Sequence, residues 1–139
     1  MRIDGIEYNI IQYLRDNEAL DLQPKVGGHD TEDSRECLMI YMDGGQKQNS
    51  AYAIANTQIN IIARSKSSEK AKKQIFKVFN LLDNTFGLEL PEYSDSSYTY
   101  EAVVVPQISS LQMPSYLGAD NNFVHEWGIN MIFTGVLDH

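Results

Sequence analysis

Residues 51–79 read AYAIANTQINIIARSKSSEKAKKQIFKVF, and the period of the apolar positions changes inside this stretch. Up to Arg64 the odd positions are small or apolar (Ala51, Ala53, Ala55, Thr57, Ile59, Ile61, Ala63), while Asn56, Gln58, Asn60 and Arg64 take even ones. That is the period of two of a long strand with one buried face. Beyond Ser65-Lys66-Ser67-Ser68 the apolar residues Ala71, Ile75, Val78, Phe79, Leu82 and Phe86 fall at helical spacing, with lysines on the other side. The serine hydroxyls are placed to cap this helix, Glu69 sits where the macrodipole favours an anion, and the helix is expected to run to about Thr85 and stop at Gly87.

The elements on either side follow from the same reading. Cys37–Met42 is a six-residue apolar run closed by the turn signal Asp43-Gly44-Gly45, which predicts a strand paired with the next one through a loop over residues 43–50. Ile3, Ile6, Ile10, Tyr13 and Leu14 predict an amphipathic helix from Ile3 to about Asn17. Leu20–Gly28 reads as an extended connection, and His29–Glu36 as a polar loop. Downstream, residues 88–100 have the character of a mobile connection. Ala102–Val105 resumes a strand that Pro106 interrupts, which requires an edge position or a bend, and Ile108–Met113 carries it on. Pro114–Asn122 reads as a turn, and Trp127, Ile129, Met131, Phe133 and Leu137 alternate with polar residues in a last long strand. The expected fold is α+β in a single domain over residues 1–139: a mainly antiparallel sheet of four strands or slightly more, with two helices packed on one face.

At 139 residues, with 42% apolar positions, the chain can bury one core. Its opening Met1-Arg2-Ile3-Asp4-Gly5 lacks the apolar stretch of a secretory signal and no apolar run is long enough to cross a bilayer, so a soluble, cytoplasmic chain is expected. A single cysteine, Cys37, allows no internal disulfide. The formal net charge of −8 argues against binding nucleic acid along its length. The charge is uneven. Residues 65–85 carry five lysines against Glu69 and Asp83, whereas Phe86–His139 has seven acids and no Lys or Arg. Such a split is either two solvated faces or two complementary ones through which copies of the chain meet.

Reactive constellations are not apparent. His29, His125 and His139 stand at no helical spacing from a second metal-ligand type, and the acids around Asp30 lack the ligand spacing and central glycine of a calcium loop. Cys37 lies inside an apolar strand, where a thiolate is disfavoured. Asp43-Gly44-Gly45-Gln46 has neither Walker nor dinucleotide spacing, and no serine stands in a hydrolase elbow. Tyr93, Tyr98 and Tyr100 with Trp127 have the makings of an aromatic platform, but without nearby cations they suit a protein interface better than bases. No catalytic residue, metal or cofactor is expected.

Taken in order, the helix Ile6–Leu14, the strand Cys37-Leu38-Met39-Ile40-Tyr41 with Asp43-Gly44-Gly45-Gln46, and Gln58–Arg64 leading into Glu69-Lys70-Ala71 carry a likeness. So do Met113-Pro114-Ser115-Tyr116-Leu117-Gly118-Ala119-Asp120 and Trp127-Gly128-Ile129-Asn130. Together they resemble the minor capsid and tail-terminator proteins of long-tailed bacteriophages and prophages. The resemblance implies a tail-terminator-like fold and a structural virion protein that caps the head-proximal end of the tail tube as a six-membered ring, stops tube growth and presents the surface on which the filled head docks. It implies as partners further copies of the chain in a homo-hexamer, the major tail-tube protein and a head-completion or connector protein, with neither nucleic-acid sequence recognition nor a membrane. Assembly in the bacterial host cytoplasm and residence in the virion go with it. Another neck or connector component is the nearest alternative, and a small ligand-binding or enzymatic domain with an unrecognised pocket is a further one. In a ring, Lys70, Lys73 and Lys77 are expected to face acids of a neighbouring subunit. Asp43, Gln46 and Lys47 in the 43–50 loop, Tyr93, Tyr98 and Tyr100 in the 88–100 connection, and Asp120 are expected at the contacts with neighbours, tube or head. Arg64, between strand and helix, also suits a buried ion pair.

Overall fold

The computed structural model describes residues 4–27, 36–49 and 54–137, with the side chains of 45–49, 54–55 and 136–137 excepted. His29–Arg35, expected as a polar loop, lies outside these residues, as do Ile3, Ala51 and Ala53. The elements in chain order are α1 (Ile6–Asp16), β1 (Pro24–Val26), β2 (Cys37–Asn49), β3 (Ile54–Ser65), α2 (Ser68–Leu82), β4 (Thr85–Leu90), β5 (Tyr93–Ser94), β6 (Thr99–Tyr100), β7 (Val103–Ser110), β8 (Ser115–Ala119) and β9 (His125–Leu137).

The fold is α+β, but its sheet is larger than the four antiparallel strands expected and it is mixed. Seven strands take the order β1-β2-β3-β9-β7-β4, with β8 also paired to β9. β1 runs parallel to β2, and every other pair is antiparallel. The period-two face of β3 is the centre of the core. Thr57, Ile59, Ile61 and Ala63 are buried, facing Phe133, Met131, Ile129 and Trp127 across β9, while Ile61 and Ala63 face Ile40 and Leu38 across β2. Ile6, Ile10, Ile11 and Leu14 of α1 join the same core as Ala71, Ile75, Val78 and Leu82 of α2, so both helices cover one face of the sheet. α1 touches β1 and β2 as well as β4, β5 and β6, which brings the two margins of the sheet to one helix. Gln74, fully buried in α2, ties the segment after α1 to it by accepting from the backbone N–H groups of Asp21 and Leu22 and donating to the Ala19 carbonyl. This satisfies three backbone groups, two of them in buried hydrogen bonds.

Where the structure departs from the sequence reading, backbone chemistry explains it. Asp43-Gly44-Gly45 is no hairpin turn: β2 continues to Asn49, and the glycines sit in a β-bulge between Met42 and Gly45, with Gly44 at φ +79. A bulge needs the same left-handed glycine that a turn does. α2 ends at Leu82 rather than near Thr85, because Asp83 is already extended and Asn84 takes φ +58. Phe86 and Gly87 therefore belong to β4, where Phe86 is exposed. Residues 88–100 are not a structureless connection but the end of β4 and the small β5–β6 hairpin. Pro106 does not break β7. Pairing with β9 starts at Gln107, and the β4 register passes from Phe86–Gln107 to Leu88–Val105, so no ladder bond is asked of the proline nitrogen. Pro114–Asn122, expected as a turn, contains β8.

Candidate assembly surface

The lysine face of α2 begins with Ser67, whose side chain accepts from the Lys70 backbone N–H at 3.2 Å. Lys70 Nζ donates to Glu36 at 2.6 Å, and Ser65 Oγ donates to the other carboxylate oxygen at 3.0 Å. The Lys70 hydrogen bond, followed by that from Ser65, holds the Glu36 carboxyl below its ordinary value. Lys77 pairs with Asp21 at 2.8 Å. Lys73 lies exposed between these two, and Lys72 sits over the Trp127 ring at 5.4 Å from its centre. Two of the three lysines expected to face a neighbour thus already hold an acid of their own subunit.

Arg64 is 1% exposed. Its guanidinium meets Asp120 at 2.7 Å and Glu126 at 3.0 Å. Asp120 turns its other oxygen to the backbone N–H groups of Asn122 and Val124, forming the corner between β8 and β9. Arg64 and Glu126 are also cross-strand partners, so one cation fastens the β8–β9 hairpin to β3. Asp120, expected at a contact, is partly buried and serves this internal fastening.

Tyr93, Tyr98 and Tyr100 cluster around α1, whereas Trp127, grouped with them in the sequence, packs instead against Tyr116 and Lys72. Tyr8 stacks on Tyr100 at 5.0 Å between ring centres and lies 5.0 Å from Tyr93, and Tyr98 stacks on Tyr100 at 6.1 Å. Asn9, 1% exposed, donates to the carbonyls of Pro91, Tyr100 and Glu101 and so pins the β5–β6 hairpin to the helix. Desolvation raises the Tyr93 and Tyr100 phenols above their ordinary value. Tyr98 alone among them is strongly exposed, at 60%. Asp43 accepts from Asn60 Nδ2 at 3.1 Å, and Gln46 and Lys47 stand in register with Asn56 and Ala55, their side chains lying outside the described residues.

The sequence reading missed the helix-free side around β8. Leu111, Met113, Tyr116, Leu117 and Phe123 are 48–78% exposed within thirteen residues that carry one charge, Asp120. The only signal was that low charge, and Pro114, Gly118 and the asparagines masked it as a turn. One concave region among the described residues, about 480 Å³, is an open groove lined by Arg15, Glu18 and Leu20–Pro24. Among the described residues no group of three His, Cys, Asp or Glu side chains is placed to hold a metal ion, and no helix is long and apolar enough to cross a membrane. The arrangement has several exposed surfaces of distinct polarity on a fixed frame.

Comparison with curated proteins gives no match. The family model described as bacteriophage tail terminator protein matches residues 13–137, from the middle of α1 to the end of β9. With nearly all of its sheet and helices inside that match, the chain belongs to the bacteriophage tail terminator family.

Proposed function

We propose that the protein is a structural, non-enzymatic component that closes the head-proximal end of the tail tube of a long-tailed phage or prophage. In this reading six copies form a ring that stops tube growth and offers the surface on which the filled head docks. The observation that carries the reading is the family match over residues 13–137. A ring needs two unlike faces on each subunit, because the contact is heterologous and one face never meets itself. The α2 face supplies Lys66, Lys72 and Lys73 beside the self-paired Lys70 and Lys77, and the β4–β6 region supplies exposed Glu89, Glu92, Asp95 and Glu101. Lys73 and its flanking lysines face those acids of the next subunit, while Asp43, Tyr98 and the far end of β2 reach towards tube or head.

Electron microscopy of tails made with and without the protein tests this. Added protein should appear at one end only, and its loss should give overlong or headless tails. Decoration along the whole tube would refute it. The reversal Lys73→Glu should weaken ring formation in low salt; unchanged assembly with unchanged salt dependence would remove the charged contact from the account.

A further inference from the structure

The lysines of α2 differ in what holds them. Lys70 and Lys77 are tied to Glu36 and Asp21 of their own subunit, and Lys66 and Lys73 are exposed with no ion pair among the described residues. Lys72 is exposed and paired with no carboxylate among the described residues, yet it is held in place. Its ammonium stands 5.4 Å from the centre of the Trp127 ring, within reach of a cation–π contact. Trp127 is itself fixed from two sides: its Nε1–H donates to Ser68 Oγ at 3.1 Å, and Tyr116 packs on it at 5.6 Å between ring centres. An ammonium carries three N–H donors, so seating it on a ring face leaves donors for a further acceptor. Glu36 is taken by Lys70 and Ser65, and Asp120 and Glu126 by Arg64. A lysine that is already immobilised loses little further side-chain freedom on binding, and tryptophan and tyrosine are residue types that anchor interfaces.

The β5–β6 hairpin carries an anion fixed in the same manner. Asp95 is exposed, and no cation pairs with it among the described residues. Its Oδ1 accepts from the backbone N–H groups of Ser97 and Tyr98, both at 2.8 Å, and its Oδ2 from the Tyr93 hydroxyl at 3.1 Å. The Tyr98 and Ser97 bonds hold the carboxyl below its ordinary value. Lys72 and Asp95 do not meet within one subunit. Seven steps along β9 lead from Trp127 to Thr134, and four more along β7, from its partner Gln107, lead to Val103, which pairs with Leu90 at the foot of the hairpin. At about 3.3 Å per step that foot lies roughly 35 Å along the sheet from the indole, too far for two-residue strands to bring Asp95 back to Lys72. Resting on the ring reading above, we propose that Lys72, seated on Trp127, is the anchoring cation of the contact between copies and docks on Asp95 of the next copy. The two groups stand towards opposite ends of the sheet, and each finds its counter-ion in a different subunit. A contact of that kind is heterologous and repeats head to tail, as a ring requires. Trp127 is the positioning residue, which gives the lysine a direction; Lys66 and Lys73 add charge without one.

Cross-linking with a water-soluble carbodiimide, which joins an amine to a carboxylate in direct contact with it, tests the proposal on the full-length protein seated on headless tails assembled without it. With isotopically labelled and unlabelled copies mixed, mass spectrometry should find Lys72 joined to Asp95 in peptides that combine the two. Lys72→Glu and Asp95→Lys should each raise the protein concentration needed to form rings about tenfold at low salt, and the two together should bring it back to within about threefold of the natural protein. Lys73→Glu should cost less, about threefold; a cost equal to that of Lys72→Glu overturns the anchoring role. Trp127→Leu should lower the yield of the link, and Trp127→Phe should keep it. Rings visible on the tails by electron microscopy in which Lys72 is joined to no Asp95, or a charge swap that restores nothing, overturn the proposal and spare the ring reading. So does a link from Lys72 to a carboxylate of the tube protein. Protein that caps tails without forming a ring overturns both. If Asp95→Lys or a Trp127 variant fails to fold, the cross-link in the unaltered protein still decides.

Discussion

Replacing Arg64 by methionine tests the fastening of the β8–β9 hairpin. The substitution keeps an unbranched chain of similar length in a site that is 1% exposed, and removes the guanidinium that meets Asp120 at 2.7 Å and Glu126 at 3.0 Å. Removing one partner of a buried ion pair costs about 3–5 kcal/mol, because the partner left behind is a desolvated, unpaired charge. Here the carboxylates keep 27% and 19% exposure, and Asp120 retains two backbone N–H bonds, which places the loss at the lower end, about 3 kcal/mol. For a chain of this length that corresponds to a fall in Tm of roughly 10 °C. Urea unfolding followed by circular dichroism reads the loss directly. The cause is separated from mere loss of packing by the triple variant Arg64→Met, Asp120→Asn, Glu126→Gln. It removes the stranded charges and keeps the Asp120 oxygen that forms the corner, so it should recover at least half of the deficit. A triple variant no more stable than Arg64→Met alone would show that the charges are not what the arginine stabilises.

Asn9→Ala should cost about 2–3 kcal/mol in the same assay, since it strands the carbonyls of Pro91, Tyr100 and Glu101, and residues 91–101 should then exchange amide hydrogens faster than α2. Glu36 contributes stability that is complete above its ordinary 4.5 and disappears as the pH falls through its lowered folded value. Lys70→Met should move the Glu36 titration, followed by carbon-detected NMR, back up towards that ordinary value. Glu7 behaves oppositely. Burial raises its carboxyl against the opposing Met42 N–H bond, so folding is penalised as the pH rises above 4.5, and Glu7→Gln should gain on the natural protein between pH 4.5 and 7. Equal pH slopes in the two proteins would contradict this.

The central layer of the fold is legible in the sequence because burial imposes a period: two along β3 and β9, and three to four along α1 and α2. What escapes notice lacks a period. β1 is three residues starting with proline and is held by β2, a partner eleven residues further on, rather than by any pattern of its own. β4 and β8 carry exposed apolar residues, Phe86 and Leu117, where a two-sided strand would show polar ones, and their glycines with the flanking Pro91 and Pro114 look like turn chemistry. The aromatic grouping of Tyr93, Tyr98 and Tyr100 is visible as composition, but its centre, Tyr8, lies 85 residues upstream of Tyr93. The internal pairings of the charged surface are hidden for the same reason. Glu36 and Asp21 stand 34 and 56 residues from Lys70 and Lys77, and only the folded chain brings them together.

This internal use of charge separates two kinds of contact that a map of Lys and Asp/Glu along the chain runs together. Arg64 is committed to the hairpin, Lys70 and Lys77 to acids of their own subunit, and the surface around β8 is neutral. In the proposed ring, contacts between copies depend on the remaining exposed lysines meeting exposed acids, an interaction that weakens as the screening length shrinks from about 10 Å at 0.1 M salt to about 3 Å at 1 M. A contact made through the apolar residues exposed around β8, such as Leu111, Met113, Leu117 and Phe123, would depend instead on apolar burial, which salt leaves nearly untouched. Raising the salt should therefore disperse free rings while protein already seated on tails stays in place, as read by sedimentation of the two populations. If both contacts fail together at the same salt concentration, the division of labour between the lysine face and the apolar surface around β8 is wrong, and the proposed tube contact is held by charge as well.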